Sequence, residues 1–197
     1  FAQLRDEDSE GCGVPPSVAR FLASSFQNGC GAVLMLATGS ASSDEVLQEA
    51  LTVISLLDVL CEMTSDNKQF MFLQDLPDLL DSTVELLMQV QALGKASKNI
   101  FSATQNISSL TKDGDPSSCS PVISFKAHLI RLIGNLCHSN TSNQNKVREL
   151  EGIPLILDNC NIDGNNPFIS QWAIFTIRNL LENNKENQEL VASLERR

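Results

Sequence analysis

The chain has 197 residues, 42% of them apolar and only 5% aromatic, with no tyrosine. That supplies a core of many small aliphatic contacts on a length between one domain and two. A formal net charge of −10 argues against non-specific nucleic-acid binding, which needs Lys and Arg to displace phosphate counterions, and against docking on anionic lipid.

Residues 1–16 are acidic and end in Pro15-Pro16, which reads as a flexible lead-in without a signal-peptide pattern. With no starting Met and no helix stop at "ASLERR", the chain reads as a piece of a longer protein. The longest uncharged run, Phe21 to Ser43, holds Gln27, Asn28, three glycines and five serines, so it is no membrane span. From Ser42 to Met63, Val46, Leu47, Ala50, Leu51, Ile54, Leu57 and Leu60 form a helical apolar stripe, with Ser42 and Glu45 as a capping box. The next helix opens at Pro77 and is expected to stop at Gly94. Lys95 to Ser120 is an insertion rich in Ser, Thr, Asn and Gly, with too little apolar content to fold alone. Ser120, followed by Pro121, reads as a modification site there, because added charge or bulk would leave the core alone.

A long helix is then expected after the Ser120-Pro121 start, running to His138. Asn143 to Glu151 reads as a short helix, Gly152 as a sharp turn, and "IPLILDNC" as a second helix. The polar loop "NIDGNN" leads to a third, Pro167 to Glu182, with Asn166 as its cap. Nothing alternates at period two with β-branched enrichment, so no sheet is expected.

The chain also writes one phrase twice. At an offset of 44, Ile133, Asn135, Leu136, Asn140, Asn143, Gln144, Val147, Leu150 and Glu151 recur as Ile177, Asn179, Leu180, Asn184, Asn187, Gln188, Val191, Leu194 and Glu195. A weaker third copy spaces Leu60 from Asn67 as Leu136 is spaced from Asn143. A period in the forties is the signature of helical arrays of armadillo or HEAT type. The fold class is therefore all-α, a right-handed armadillo-type α-solenoid over residues 17–197. Its units span about 17–63, 66–138 with the 95–120 insertion, 143–182, and a partial unit 186–197.

The Gly152 turn, the helix ends "IGNLC" and "IRNLL" and the Asn-Gln starts look like the armadillo pattern. Between Phe125 and Leu194 the chain resembles the carboxy-terminal region of the ataxin-10 family, on "GIPLILDNCNID", "NPF" and "IRNL". The resemblance implies self-association through this region. It further implies a cytoplasmic protein, perinuclear or at the centrosome or midbody, in signalling, neurite growth and cell division. The expected function is a non-enzymatic scaffold that binds other proteins and copies of itself. The rival is an armadillo groove receptor for extended peptides.

Asn135 and Asn179 stand one residue before the last Leu of their helices, where peptide-binding armadillo proteins place a groove Asn. They either line such a groove or bond between adjacent units. Where basic-peptide receptors carry Trp one turn earlier, this chain has Phe175 and Arg131, with Trp172 two turns back. Trp172 packs between units or anchors a partner, and Arg131 and Arg178 are solvated or meet an acidic partner. No catalytic, cofactor or metal set is expected. Asn159 to Gly164 imitates a calcium loop but carries one carboxylate and Ser170 at its twelfth position. Cys137 and His138 diverge on a helix, His128 reads as a surface residue, and the six cysteines contain no C-x-x-C pair and are expected reduced.

Overall fold

The computed structural model describes residues 14–38, 44–65, 68–103 and 122–194, and among them there is no strand. The helices are α1 (Pro16–Thr38), α2 (Asp44–Ser65), α3 (Pro77–Ala96), α4 (Phe125–Cys137), α5 (Thr141–Glu149), α6 (Gly152–Leu157), α7 (Ile169–Leu181) and α8 (Lys185–Leu194), with a 3-10 helix at Lys68–Asp75. The capping residue Ser42, the spacing residue Asn67, the lead-in 1–13 and the modification residue Ser120 lie outside the described residues.

α1 buries Ala19, Ala23, Phe26 and Val33 against α2, which answers with Ala50, Val53, Leu57 and Leu60. Gly29 permits the approach: a Cβ there would stand 2.4 Å from Val53 Cγ2. α3 packs on α1 and α4, and α4 packs on α2 and α7. Eleven of the 13 residues of α4 are buried, so it is the centre of the stack. Each fully buried Leu or Ile stabilises the stack by about 1.5–3 kcal/mol.

The repeat recurs in three dimensions. Ser124 and Phe168, 44 residues apart, both take left-handed backbone (φ 67° and 64°), as do Ser139 and Asn183 (51° and 55°). Asn140 Oδ1 accepts from Asn143 N–H as Asn184 Oδ1 does from Asn187 N–H. Asn143 Nδ2 donates to Leu136 O, and Asn187 Nδ2 to Leu180 O. At these positions the identical residues make the same bonds.

Three expectations need correction. α7 begins at Ile169, not Pro167, because Asn166 closes a turn on Asp163 and turns its side chain to α4. α4 likewise begins at Phe125, behind the left-handed Ser124. Gly94 does not end α3, which runs to Ala96; it lets the backbone of Phe101 approach, and a Cβ there would lie 2.5 Å from Phe101 O. The insertion therefore starts ordered, with Phe101 buried against Phe125 (ring centroids 6.2 Å apart).

Candidate functional site

Five of the predicted site residues, Arg131 and Asn135 of α4 and Trp172, Phe175 and Asn179 of α7, lie on the two helices that pack most closely together in this part of the chain. Asn135 and Asn179 are both buried, each reaching back to the preceding long helix. Asn179 Nδ2 donates to Gly134 O at 3.0 Å; Asn135 Nδ2 donates to Cys61 O at 3.1 Å and Thr64 Oγ1 at 3.0 Å. Asn179 thereby gives Gly134 O, one of the last four carbonyls of α4, the partner it lacks within its own helix, and Asn135 reaches α2 in the same direction. Their own carbonyls are then held by glutamines: Gln144 Nε2 donates to Asn179 O, and Gln74 Nε2 to Asn135 O. Gln74, in the 3-10 helix, thus does in the upstream unit what Gln144 does downstream.

Arg131 lies with its guanidinium 4.7 Å over the Trp172 ring and donates to Glu62 Oε1 at 2.7 Å. Its Nε is buried without an acceptor among the described residues; the indole face beneath it offsets part of that cost. Phe175 meets Trp172 edge-on at 5.7 Å. Arg131 thus occupies from within the indole face that a ligand's basic stem would take. Beside it, Thr64, Ser65, Met71, Asn135, His138 and Phe175 border a cavity of about 430 Å³. Arg178 is exposed. His128, expected on the surface, is half-buried and paired through Nδ1 with Asp58, because α2 packs alongside it.

A second cluster was not anticipated. Lys126 Nζ and Asp163 Oδ2 form an ion pair at 2.9 Å with both side chains 6% exposed. Asp163 Oδ1 accepts from Asn165 N–H, and Oδ2 also accepts from Asn166 Nδ2. Asn166 Oδ1 accepts from the N–H groups of Lys126 (3.0 Å) and Ala127 (3.4 Å), the first turn of α4, and Ser124 N–H donates to Asn165 O. The loop that imitates a calcium site is thus the N-terminal cap of a helix 40 residues earlier, its carboxylate neutralised by Lys126. The one sequence signal was a lone Asp followed by two asparagines. Among the described residues no three His, Cys, Asp or Glu side chains group to hold a metal, and no helix is long and apolar enough to cross a membrane.

Cys30, Cys61, Cys137 and Cys160 are unpaired thiols; Cys12 and Cys119 lie outside the described residues. Burial pushes the Cys61 thiol up to about 12 and Cys30 up to about 11, and raises Cys137 further.

Residues 125–197 match a family model described as "Spinocerebellar ataxia type 10 protein domain", whose label marks homo-association. The chain is 48% identical over 193 residues to Ataxin-10 of Xenopus tropicalis, covering 98% of this chain and 38% of that protein. It is 50% identical over 177 residues to Ataxin-10 of Homo sapiens, covering 90% and 36%. An Ataxin-10 homolog of Dictyostelium discoideum matches 70 residues at 54% identity, 36% of this chain and 12% of that protein. The chain thus spans a little over a third of the vertebrate relatives. No solved structure matches it. With about half of its residues shared along nearly its whole length, the chain belongs to the ataxin-10 family.

Proposed function

We propose that the chain is a non-enzymatic protein-interaction module, an armadillo-type stack that associates with copies of itself and holds partners in the cytoplasm. The observation that carries the stack is the recurring inter-unit bond set, in which Asn135, Asn179, Gln74 and Gln144 tie each long helix to its neighbour. The homo-association label on residues 125–197 supports self-association. Roles in signalling, neurite growth and cell division rest on family membership and belong to the longer protein.

The peptide-groove reading keeps one argument, the cavity beside Asn135 and Phe175. Against it, both side-chain N–H groups of Asn135 and one of the two of Asn179 are already engaged within the stack, which leaves little of either amide to grip a ligand's main chain. Sedimentation velocity over a concentration series tests self-association. A weight-average mass that rises with concentration supports it, and a monomer throughout rejects it. Asn179→Ala separates the two roles of the asparagines: loss of melting temperature marks a stack residue, and weakened partner binding at constant melting temperature marks a groove residue.

A further inference from the structure

Two successive unit boundaries fill one position in opposite ways. Asn179 takes Gly134 O where Asn135 takes Cys61 O, so Glu62 holds on α2 the place that Asn135 holds on α4. Arg131 and Phe175 are likewise counterparts, 44 residues apart. Between α2 and α4 the position is closed by charge. Arg131 donates to Glu62 Oε1 at 2.7 Å while its guanidinium lies 4.7 Å over the Trp172 ring. Between α4 and α7 the same position brings together Asn135 and Phe175, and a phenyl ring has no N–H to give.

What this second boundary leaves open is a built pocket. Asn135 is only 5% exposed, and both of its side-chain N–H groups are spent inside the stack. Its Oδ1 receives no hydrogen bond among the described residues, yet it is not sealed from solvent. It borders the cavity of about 430 Å³, whose other walls are the carboxy-terminal ends of α2 and α4, Met71 and the Phe175 ring. Since α2, α4 and α7 all contribute, the cavity lies within the array and not at its end. No Lys, Arg, Asp or Glu lines it, and helix carboxy-termini favour a cation. The absent group is therefore one that stacks on an aromatic face, carries positive charge and donates an N–H, which is what Arg131 does one boundary earlier. We infer that this cavity receives an arginine side chain of a partner protein, its guanidinium stacked on Phe175 and donating to Asn135 Oδ1. Lysine fits less well, because a compact, strongly hydrated ammonium does not lie flat on a ring while it donates. A chain of net charge −10 also draws a basic partner towards it.

The inference rests on the reading that the stack holds partners, and it names the chemistry of one contact. The probe is N-acetyl-arginine methylamide, titrated into the full chain and followed by the nuclear magnetic resonance signals of the Met71 methyl and the Asn135 side-chain amide. The expected result is a saturable one-to-one shift of both, about fivefold tighter than with the lysine or the citrulline analogue. Phe175→Leu weakens the probe about fivefold. Phe175→Arg copies the earlier boundary, closes the pocket from within and abolishes the response without lowering the melting temperature. No saturable shift, an equal response to the citrulline analogue, or an undiminished response in either Phe175 variant overturns the inference. The occupant is in trans if the Met71 signal of the free chain ignores Arg5→Gln, Arg196→Gln and Arg197→Gln; a shift with any of these places it in cis and overturns the inference too. A chain that self-associates in sedimentation yet gives no probe response overturns this inference and leaves self-association standing.

Discussion

Replacing Lys126 by Met strips the cation from a carboxylate that is 94% shielded from water. Breaking a buried pair by removing one partner costs about 3–5 kcal/mol. Asp163 keeps its bonds from Asn165 N–H and Asn166 Nδ2, which places Lys126→Met at the lower end, about 3 kcal/mol. For a chain of this size about 2–4 °C is lost per kcal/mol, so the melting temperature should fall by about 6–12 °C. Asp163→Asn leaves the buried ammonium without its counter-charge and should cost a similar amount. The double variant removes both charges and should recover most of either loss, since a neutral replacement of a buried pair is often harmless. Urea titrations followed by circular dichroism on all four proteins give the coupling energy. A cost under about 1 kcal/mol for Lys126→Met, or a double variant equal to the sum of the singles, would refute the claim that this pair locks the loop to α4.

Gly134→Ala forces a methyl to 2.5 Å from Thr176 Oγ1 and 3.1 Å from the Phe175 ring; separation of α4 from α7 should cost about 1–3 kcal/mol, read as a lower melting temperature. Asn166→Ala removes the cap from two N–H groups of α4 and should cost about 1–2 kcal/mol, with faster amide exchange at Lys126 and Ala127 as the specific readout. At pH 8 a disulfide reagent should leave Cys61 and Cys137 of the native chain untouched and label them after urea, because burial keeps both protonated. The same shift gives a sign for alkaline stability. The unfolded Cys61 thiol ionises near 9 and the folded one near 12, so its contribution is complete below pH 9 and is lost as the pH climbs from 9 towards 12. Urea midpoints rising over that range would contradict it.

The 44-residue period was legible because asparagine and glutamine at fixed offsets repeat a fixed set of bonds to helix-end carbonyls. Such short-range bonds, Asn143 to Leu136 or Asn187 to Leu180, span only seven residues and leave a mark in the spacing. Gln74 was not found because a 3-10 helix changes its register relative to Gln144. Asn-Pro before an apolar run is an ordinary helix start, so the sequence presents Asn166 as the cap of its own helix. The N–H groups it accepts from lie about 40 residues upstream, beyond what spacing alone reveals. For the same reason Lys126 looked like any helical lysine until its distant carboxylate was in place. Arg131 and Trp172 were singled out separately, and only the packing of α4 on α7 makes them a stacked pair.

The long reach of Asn166 also orders events in time. A ribosome releases α4 well before the loop that closes its first turn, so that helix emerges uncapped and is completed about 40 residues later. Trimming the chain between Cys137 and Asn166 should therefore fray a helix that lies wholly upstream of the cut, since α4 is made first and its cap last.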